Sequence, residues 1–505
     1  MSSGSHTEQR VFPALSIGNT AVALQTTAGE WTYSDLHERV NKMASGLLEG
    51  KTDLKEERIA LLIPGGVDYV TTLLGIWRAG GIAVPLNVAG ALPELEHALT
   101  CAQVTRLVVC LSLDTDQIVA LHILCQALKI ELLTVAETLA DGVGKLPVIA
   151  PERRAMILFT SGTTNKPKGV VSTHRNIRAQ VTTLLEAWGW QAKDSIPLFL
   201  PLHHIHGIIN ILCCGLWTGA RVAIFPRFDM DQVMTQVRLR KYTLFMAVPT
   251  IYVKIIQYLE ALDAGKREAI TSAFKIMRLN VSGSAACPVK LFNQWKALTG
   301  QTLLERYGMT EIGMGISNPY LGERRAGAVG VPLKGVEVAL FDDAGAVIAQ
   351  DDVPGEIRVR GDTVFLEYWN NPAATASSFT EDGWFRTGDV AVRERGYFRI
   401  MGRQSVDIIK SGGYKLSALE IEGVLLEHPQ IAECAVLGIP DPTWGEVVAA
   451  VVVPRAGEPL DEAVLRAWCE KQMSGYKQPR RMLFVASLPR NAMGKVVKPE
   501  LRALF

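Results

Sequence analysis

A ten-residue segment, 160–169, combines the residue types that bind polyphosphate. It reads Thr-Ser-Gly-Thr-Thr-Asn-Lys-Pro-Lys-Gly and follows an apolar run, 156–159, that predicts a buried strand. Glycine lets backbone amides approach phosphate oxygens, hydroxyl groups add hydrogen-bond donors, and lysine supplies positive charge. The segment is not a Walker A loop, because Pro167 stands where that motif requires its second glycine. The alternative is an ordinary surface turn that happens to contain lysine.

Four shorter segments add groups that suit nucleotide chemistry. Residues 307–311, Tyr-Gly-Met-Thr-Glu, end in a carboxylate, and Mg²⁺ favours one or two carboxylates together with phosphate oxygens and water. Gly388-Asp389 and Gly402-Arg403 lie in turn-like sequence, and Lys495 lies near the end of the chain. Each segment alone fits a structural explanation, namely a strand end, two turns and a solvated lysine. The prediction therefore depends on their joint order and spacing.

Three histidines within four residues, His203, His204 and His206, raise the question of a metal site. No cysteine or carboxylate lies at ligand spacing from them. If the segment is a strand, neighbouring side chains also point to opposite faces. The sequence therefore disfavours zinc.

Composition excludes several classes of protein. The chain has 505 residues, 48% of them hydrophobic, which is enough to bury more than one core. A net charge of +1 does not indicate a nucleic-acid or anionic-membrane surface. The eight cysteines show no C-x-x-C pair or zinc spacing and predict free thiols in a reducing compartment. Residues 1–10 lack secretory and transit features and no run approaches 18 apolar residues, so a cytoplasmic protein without a membrane span is predicted.

Strand-like and helix-like patterns alternate through the first half of the chain, which predicts stacked α/β layers with parallel sheets. These patterns lie at 59–63, 67–79, 82–86, 92–100, 107–111, 222–225 and 244–248. From about Gly330, short alternating strands between turns predict a small β-barrel or distorted sheet. Beyond Arg403, two helical patterns and two apolar runs predict a separate α+β unit of about a hundred residues.

In order and spacing, these segments resemble those of the adenylate-forming superfamily, which includes acyl-CoA synthetases, firefly luciferases and peptide-synthetase adenylation domains. The resemblance extends from about Trp31 to Phe505. Residues 160–169 resemble the signature TSGTTGxPKG with Asn165 in place of glycine, and asparagine tolerates a left-handed conformation. Within the superfamily the chain most resembles malonyl-CoA synthetases, chiefly through residues 304–320.

The resemblance implies a nucleotide role for each motif. Tyr307 would stack on adenine, Thr310 would contact the α-phosphate, and Glu311 would hold Mg²⁺. Asp389 would accept hydrogen bonds from both ribose hydroxyls, with Arg403 near the ribose. The residues that would bind phosphate are Thr160, Ser161, Gly162, Thr163, Thr164, Lys168 and Gly169.

The resemblance also implies an α/β fold in which a smaller domain moves. The large N-terminal domain, 1–402, would hold the α/β layers and the small β-barrel, and a hinge, 403–407, would lead to a mobile α+β C-terminal domain, 408–505. Lys495 would reach the active site during adenylation and bridge the attacking carboxylate and the α-phosphate. Ser405 stands where relatives have a charged hinge residue, and residues 410–415 resemble the loop that lines the pantetheine tunnel.

The acyl pocket is predicted by the same resemblance. His204 would lie beside the substrate carboxylate, and His206 would line the acyl pocket where relatives often have an aromatic residue. Ser282 and Gly283 would form the pocket strand and its glycine turn. A second carboxylate on the substrate needs a cationic partner, because burying an unpaired charge is costly. Arg278 and His206 are the predicted partners.

The sequence therefore predicts an acid–thiol ligase that converts malonate, ATP and coenzyme A to malonyl-CoA, AMP and pyrophosphate through an acyl-adenylate, with Mg²⁺ as cofactor. Alternative acids are methylmalonate, oxalate, a short fatty acid or an aryl acid. An adenylation domain that loads a carrier protein is disfavoured, because no carrier segment follows Phe505. A nucleotide sensor without catalysis is disfavoured because Lys495 and Glu311 are both present. Neither a nucleic acid nor a membrane is a predicted partner.

Overall fold

The computed structural model describes residues 12–110, 115–160, 167–412, 414–455, 460–490 and 496–505. Part of the predicted ATP site lies outside these ranges, namely Ser161, Gly162, Thr163, Thr164 and Lys495. The substituted position Asn165 lies outside them as well. No helix in the described part of the chain is long and apolar enough to span a bilayer.

The strands are numbered in chain order. Those before residue 320 are β1 (Val22–Thr26), β2 (Gly29–Thr32), β3 (Arg58–Leu62), β4 (Ile82–Pro85), β5 (Arg106–Val109), β6 (Glu131–Thr134), β7 (Arg154–Thr160), β8 (Lys168–Thr173), β9 (Ser195–Leu198), β10 (Arg221–Ile224), β11 (Leu244–Ala247), β12 (Leu279–Ser282), β13 (Leu304–Met309) and β14 (Gly313–Ser317). Those that follow are β15 (Val331–Pro332), β16 (Glu337–Phe341), β17 (Gly355–Arg360), β18 (Glu367–Tyr368), β19 (Phe385–Glu394), β20 (Tyr397–Arg403), β21 (Ile408–Ser411), β22 (Tyr414–Ser417), β23 (Ile431–Asp441), β24 (Gly445–Pro454) and β25 (Arg481–Phe484).

The α-helices are numbered in the same way. They are α1 (Tyr33–Leu48), α2 (Val67–Arg78), α3 (Leu92–Cys101), α4 (Thr115–Leu128), α5 (Val135–Thr138), α6 (His174–Trp188), α7 (Cys214–Thr218), α8 (Met230–Arg238), α9 (Pro249–Ala261), α10 (Ala264–Ile276), α11 (Val289–Thr299), α12 (Pro372–Ser378), α13 (Ala418–Leu425), α14 (Glu462–Gln472) and α15 (Lys498–Arg502). A π-helix (His206–Cys213) precedes α7, and a 3₁₀ turn (Gly475–Lys477) precedes β25.

The chain divides into two compact units. The first comprises Met1–Ala326, Pro332–Glu337 and Arg360–Gly383, and the second comprises Gly327–Val331, Val338–Val359 and Trp384–Phe505. The predicted domain boundary at residue 402 falls inside the second unit. The hinge at 403–407 therefore stays a prediction.

Three sheets form the first unit. The largest has the strand order β18-β8-β7-β4-β3-β5-β6, and its β3, β4, β5 and β6 pair in parallel. A second sheet has the order β11-β12-β13-β14, with β15 added at its end, and the third has the order β2-β1-β10-β9. Because β11, β12 and β13 are parallel, the carboxyl ends of these strands meet at one edge. This edge holds the predicted acyl-pocket turn and the Tyr307–Glu311 segment.

Local sequence accounts for how the helices beside these sheets begin. Thr32 caps α1 by accepting from the amide of Asp35, whose carboxylate accepts from the Thr32 amide in return. Thr173 and Asn176 form the same reciprocal cap on α6. Such caps satisfy amides that have no partner inside the helix and typically contribute about 1 kcal/mol.

Two sheets form the second unit. One has the order β16-β17-β19-β20, and the other has the order β22-β21-β24-β23 with β25 paired to β24. Both faces of the β23–β24 pair are buried, because α13 and α14 cover one core cluster and Leu501 of α15 belongs to the other. The predicted α+β character of this region is confirmed. Of the two alternatives predicted beyond Gly330, a small β-barrel or a distorted sheet, the structure has a four-stranded sheet.

Candidate active site

The segment predicted to bind phosphate connects two antiparallel strands, β7 and β8. Thr160 ends β7 and pairs with Lys168, which begins β8, and Phe159 pairs with Gly169. The ammonium of Lys168 lies 4.9 Å from the ring centroid of Tyr368, at cation–π distance. Backbone pairing therefore fixes both described ends of the segment.

Tyr368 also contacts Glu311. Its hydroxyl donates to Glu311 Oε1 over 2.9 Å, and the amide of Phe365 donates to the Glu311 carbonyl over 2.7 Å. Glu311 is 5% exposed. One aromatic side chain thus links Lys168 to the predicted metal ligand. The sequence analysis missed Tyr368, because nothing in its local pattern distinguishes it from a core tyrosine.

His97 is a second residue that the sequence analysis missed. Its Nε2 lies 3.0 Å from the carbonyl oxygen of Pro167, and its ring meets Phe159 edge-on with centroids 6.1 Å apart. His97 therefore contacts the chain both before and after residues 161–166.

The Tyr307–Glu311 segment ends β13 and turns into β14. Tyr307 pairs with Ile316, and Met309 pairs with Gly313. A Cβ atom at Gly308 would lie 2.1 Å from the carbonyl oxygen of Gly313, so this position requires glycine. Thr310 and Glu311 occupy the turn between the strands.

His206 begins the π-helix and is buried. The segment therefore does not continue as the strand that was considered for it. Burial, followed by the charges of Arg306 and His204, holds the pKa of His206 well below its usual range, so the ring is neutral. His206 Nδ1 lies 3.1 Å from Ser284 Oγ. In the described part of the chain, no three histidine, cysteine or carboxylate side chains are placed to hold a metal ion.

The neighbouring His203 is neutral for a similar reason. The rings of His203 and His204 lie 4.3 Å apart. Burial, together with the charge of His204, lowers the pKa of His203 to about 3. The structure therefore places the predicted residue His204 beside the uncharged ring of His203.

Arg306 is the buried cation of this region, and the sequence analysis missed it. It is 5% exposed, and burial lowers its pKa to about 10. Its Nη2 lies 3.4 Å from Ser284 Oγ, and it makes no ion pair with any described carboxylate. A Cβ atom at Gly283 would lie 2.4 Å from the Arg306 guanidinium carbon, so any larger residue at 283 would displace the guanidinium. Arg306, Ser284 and His206 form one continuous set, which we call the anion group.

The backbone of Ser284, the residue that links Arg306 and His206, is strained. Its φ angle is +68°, a left-handed conformation that costs a non-glycine residue about 1 kcal/mol or more. Such strain is typical of functional sites. Ser282, the last residue of β12, is fully buried next to this turn.

Arg278 has a partner within the protein. Its Nε and Nη2 donate to the two carboxylate oxygens of Asp194 over 2.8 and 2.6 Å, and its Nη1 donates to the carbonyl of Trp188. Burial disfavours its charged form, but hydrogen bonds and charge from Asp194 raise its pKa overall. Asp194 therefore already neutralises the charge that was predicted to bind a substrate carboxylate.

In the second unit, the two predicted ribose-binding residues pair with each other. Asp389 on β19 lies opposite Arg403 on β20, and Arg403 Nε lies 3.0 Å from Asp389 Oδ1. Arg403 Nη1 also donates to the carbonyl of Thr387 over 2.6 Å. The pair fixes the orientation of the Asp389 carboxylate.

The loop predicted to line the pantetheine tunnel lies near exposed aromatic rings. Tyr414 stacks on Tyr476 with centroids 4.9 Å apart and an interplanar angle of 15°. The guanidinium carbon of Arg480 lies 4.4 Å from the centroid of the Trp444 ring. The backbone carbonyl of Trp444 accepts a hydrogen bond from the amide of Gly412. Trp444 and Tyr476 could not be predicted from the loop itself, because they lie 29 and 61 residues beyond its end in sequence.

Two family models match this chain. The AMP-binding enzyme model matches residues 16–369, and the model of the C-terminal domain of AMP-binding enzymes matches residues 420–495. The chain therefore belongs to the AMP-binding enzyme family.

Particular relatives are close. The mitochondrial malonate–CoA ligase of Mus musculus is 41% identical, with 97% of this chain and 89% of that protein covered. The structure of ATP-bound MatB from Rhodopseudomonas palustris is 33% identical, covers 96% of both chains and has a TM-score of 0.86. A malonyl-CoA ligase complex with methylmalonyl-CoA and AMP is 35% identical, covers 95% of this chain and all of the other, and has a TM-score of 0.70.

Proposed function

We propose that this chain is an ATP-dependent malonate–CoA ligase that forms malonyl-CoA, AMP and pyrophosphate through malonyl-adenylate. The observation that carries the substrate choice is Arg306, a buried cation without an acidic partner in the described chain. Relatives named malonate–CoA ligase support the same choice.

The anion group is proposed to bind the distal carboxylate of malonate. Leaving a guanidinium buried and unpaired is costly, and a carboxylate in contact with it would remove that cost. Ser284 Oγ, between Arg306 and His206, can donate to the same carboxylate. The neutral His206 ring adds a hydrogen-bonding group without a second charge. Arg306, in place of the predicted Arg278, is therefore proposed to bind the distal carboxylate of malonate.

Adenylation then uses the other carboxylate of malonate. One of its oxygens attacks the α-phosphorus of ATP, and the bond from that phosphorus to the bridging oxygen of pyrophosphate breaks. No general base is required, because a carboxylate is ionised near neutral pH. The task of the protein is positioning and charge neutralisation. We assign these roles to Lys168, Thr310, His204 and Lys495.

Glu311 is the residue proposed to hold Mg²⁺. A single buried carboxylate, oriented by the Tyr368 hydroxyl, fits an ion that takes few protein ligands and completes its shell with phosphate oxygens and water. When bound, the ion would neutralise phosphate charge. Tyr307 would stack on adenine, and the Asp389–Arg403 pair would bind the ribose.

Thioester formation is proposed to follow a rotation of the C-terminal domain about residues 403–407. The thiolate of coenzyme A attacks the malonyl carbonyl carbon, and the bond to the AMP oxygen breaks. The aromatic rings of Tyr414, Trp444 and Tyr476, with Arg480, offer stacking faces and positive charge for the nucleotide end of coenzyme A.

The test is a panel of acids with ATP and coenzyme A, read by AMP release. Malonate should give the highest kcat/KM, and butyrate should be poor because it leaves Arg306 unpaired. Methylmalonate is the second candidate, because a related ligase has been solved with methylmalonyl-CoA. A preference for butyrate or an aryl acid would overturn the malonate assignment and leave the ligase class intact.

We propose the cytoplasm as the location. The cysteines that the structure describes are free thiols, which supports a reducing compartment. The mouse relative is named mitochondrial. Imaging of the full-length chain with a C-terminal tag would distinguish the two.

A further inference from the structure

One lysine and two carboxylates form a buried cluster at the start of α15. Lys498 Nζ lies 2.6 Å from Asp407 Oδ1 and 2.8 Å from Glu422 Oε1, and none of the three side chains is more than 15% exposed. Burial opposes the charged form of Lys498, but Glu422 and Asp407 outweigh it and raise the pKa. We call these residues the Lys498 cluster. No step of the proposed reaction assigns a role to Lys498 or Glu422.

Asp407 joins the cluster to the ribose-binding pair. Its Oδ2 accepts from the amide of Arg403 over 3.0 Å, and its own amide donates to the Arg403 carbonyl over 2.7 Å. A Cβ atom at Gly402 would lie 2.4 Å from the Asp407 Cβ, so glycine is required for this turn to close. The turn that presents Arg403 to Asp389 is therefore built around Asp407.

Lys498 is also close in sequence to the predicted catalytic lysine. Lys495 lies three residues before it. The described residues on either side of 491–495 are paired, because Arg490 bridges to Val496 and the amide of Val497 donates to the carbonyl of Pro489 over 2.9 Å. The chain that leaves Lys495 therefore enters a fixed backbone pairing and then the Lys498 cluster.

We propose that Lys498 is a positioning residue for adenylation, an inference that rests on the proposed role of Lys495. By binding Asp407 and Glu422, it ties the segment that carries Lys495 to the turn that carries Arg403. The group proposed to contact the α-phosphate and the pair proposed to contact the ribose then share one anchor. Displacing a reacting group by about 1 Å can cost about 100-fold in rate.

The test compares Lys498→Met with Lys498→Arg in the full-length enzyme. Adenylation is measured as acid-dependent exchange of pyrophosphate into ATP, using the best acid of the panel. Thioester formation is measured separately from synthetic acyl-adenylate and coenzyme A. For K498M we expect the kcat of exchange to fall about 100-fold while thioester formation stays near the wild-type rate. K498R should recover most of the exchange, because it restores the cation.

The matched control is Arg502→Met on the same helix. Arg502 forms a longer, more exposed pair with Glu446, at 3.6 Å, and its loss should change neither half-reaction. If K498M does not fold, Asp407→Asn serves instead, because it keeps the shape of the side chain and removes one charge of the cluster. The same selective loss of exchange is expected of it.

Two results would overturn the proposal. In one, exchange and thioester formation fall together with the melting temperature, which defines a purely structural lysine. In the other, K498M is stable and exchanges at the wild-type rate. Lys495→Met is measured in parallel. If this variant retains pyrophosphate exchange, the catalytic role proposed for Lys495 is wrong. If it loses exchange while K498M stays active, only the positioning role of Lys498 is rejected.

Discussion

Replacing Arg306 with methionine separates the substrate role of this residue from a structural one. Methionine keeps much of the bulk of the side chain and removes the charge. The wild-type guanidinium is buried and makes no ion pair with a described residue. Arg306→Met should therefore weaken the reaction of malonate without weakening the fold.

The loss of activity can be worked out from the burial. Removing one partner of a desolvated ion pair costs about 3–5 kcal/mol, because the other charge remains buried and unpaired. At about 1.4 kcal/mol per tenfold, kcat/KM for malonate should fall by about 100-fold to 4000-fold. The value for butyrate should change little or rise, since butyrate brings no second charge to the pocket.

The effect on stability should have the opposite sign. Burial lowers the pKa of Arg306 from its ordinary value to about 10, so folding disfavours its charged form. A shift of this size corresponds to about 3 kcal/mol of unfavourable free energy. This cost is present in full below about pH 10 and is relieved as the pH rises from there toward the ordinary pKa of arginine. Near neutral pH, Arg306→Met should therefore unfold at an equal or higher temperature than the wild type.

Two measurements are made on each protein. One is kcat/KM for malonate and for butyrate, and the other is thermal unfolding with and without malonate. Malonate at 100 times its dissociation constant should stabilise the wild type by about 2.7 kcal/mol and the variant much less. Arg278→Met is the control: it leaves Asp194 buried and unpaired, so it should lower stability and depress both acids alike. If Arg306→Met instead behaved as this control, the reasoning about malonate recognition would be refuted.

Three further predictions concern the two half-reactions. Lys495→Ala should lose about 3–4 kcal/mol of transition-state stabilisation in adenylation and should still convert synthetic acyl-adenylate to thioester. An equal loss in both assays would contradict a C-terminal domain that takes a different position for each half-reaction. Ser405→Pro should spare one half-reaction and impair the other, because proline fixes φ, and unchanged activity in the complete reaction would reject the hinge at 405. Tyr368→Phe removes the hydrogen bond to Glu311 and should raise the Mg²⁺ concentration needed for half-maximal exchange, with malonate KM unchanged; a malonate-specific effect would argue against Glu311 as the metal ligand.

Elements with a clear hydrophobic period could be predicted from the sequence. The apolar runs at 59–63 and 82–86 are β3 and β4, and the helical pattern at 67–79 is α2 (Val67–Arg78). The segment His206–Cys213 could not be predicted in the same way, because every one of its residues is buried. Without a polar face, no period distinguishes a helix from a strand.

Contacts between site residues that are far apart in sequence could not be predicted either. Arg278 precedes the glycine turn of the acyl pocket, so proximity in sequence made it the predicted cation. Its partner Asp194 lies 84 residues away, and no local pattern indicates that pair. Arg306 stands directly before Tyr307 and was included only as context for the nucleotide motif. Only the parallel pairing of β12 with β13 brings it next to Gly283.

The division of the chain into two compact units has a consequence for how such enzymes diversify. The anion group belongs to the first unit, and the aromatic rings of Tyr414, Trp444 and Tyr476 belong to the second. The residues proposed to choose the acid and those proposed to bind coenzyme A thus belong to separate units. A chimera that takes its second unit from a relative should inherit the thiol kinetics of that relative and keep the acid preference of this chain. Acid preference and thiol kinetics are therefore open to separate selection and separate engineering.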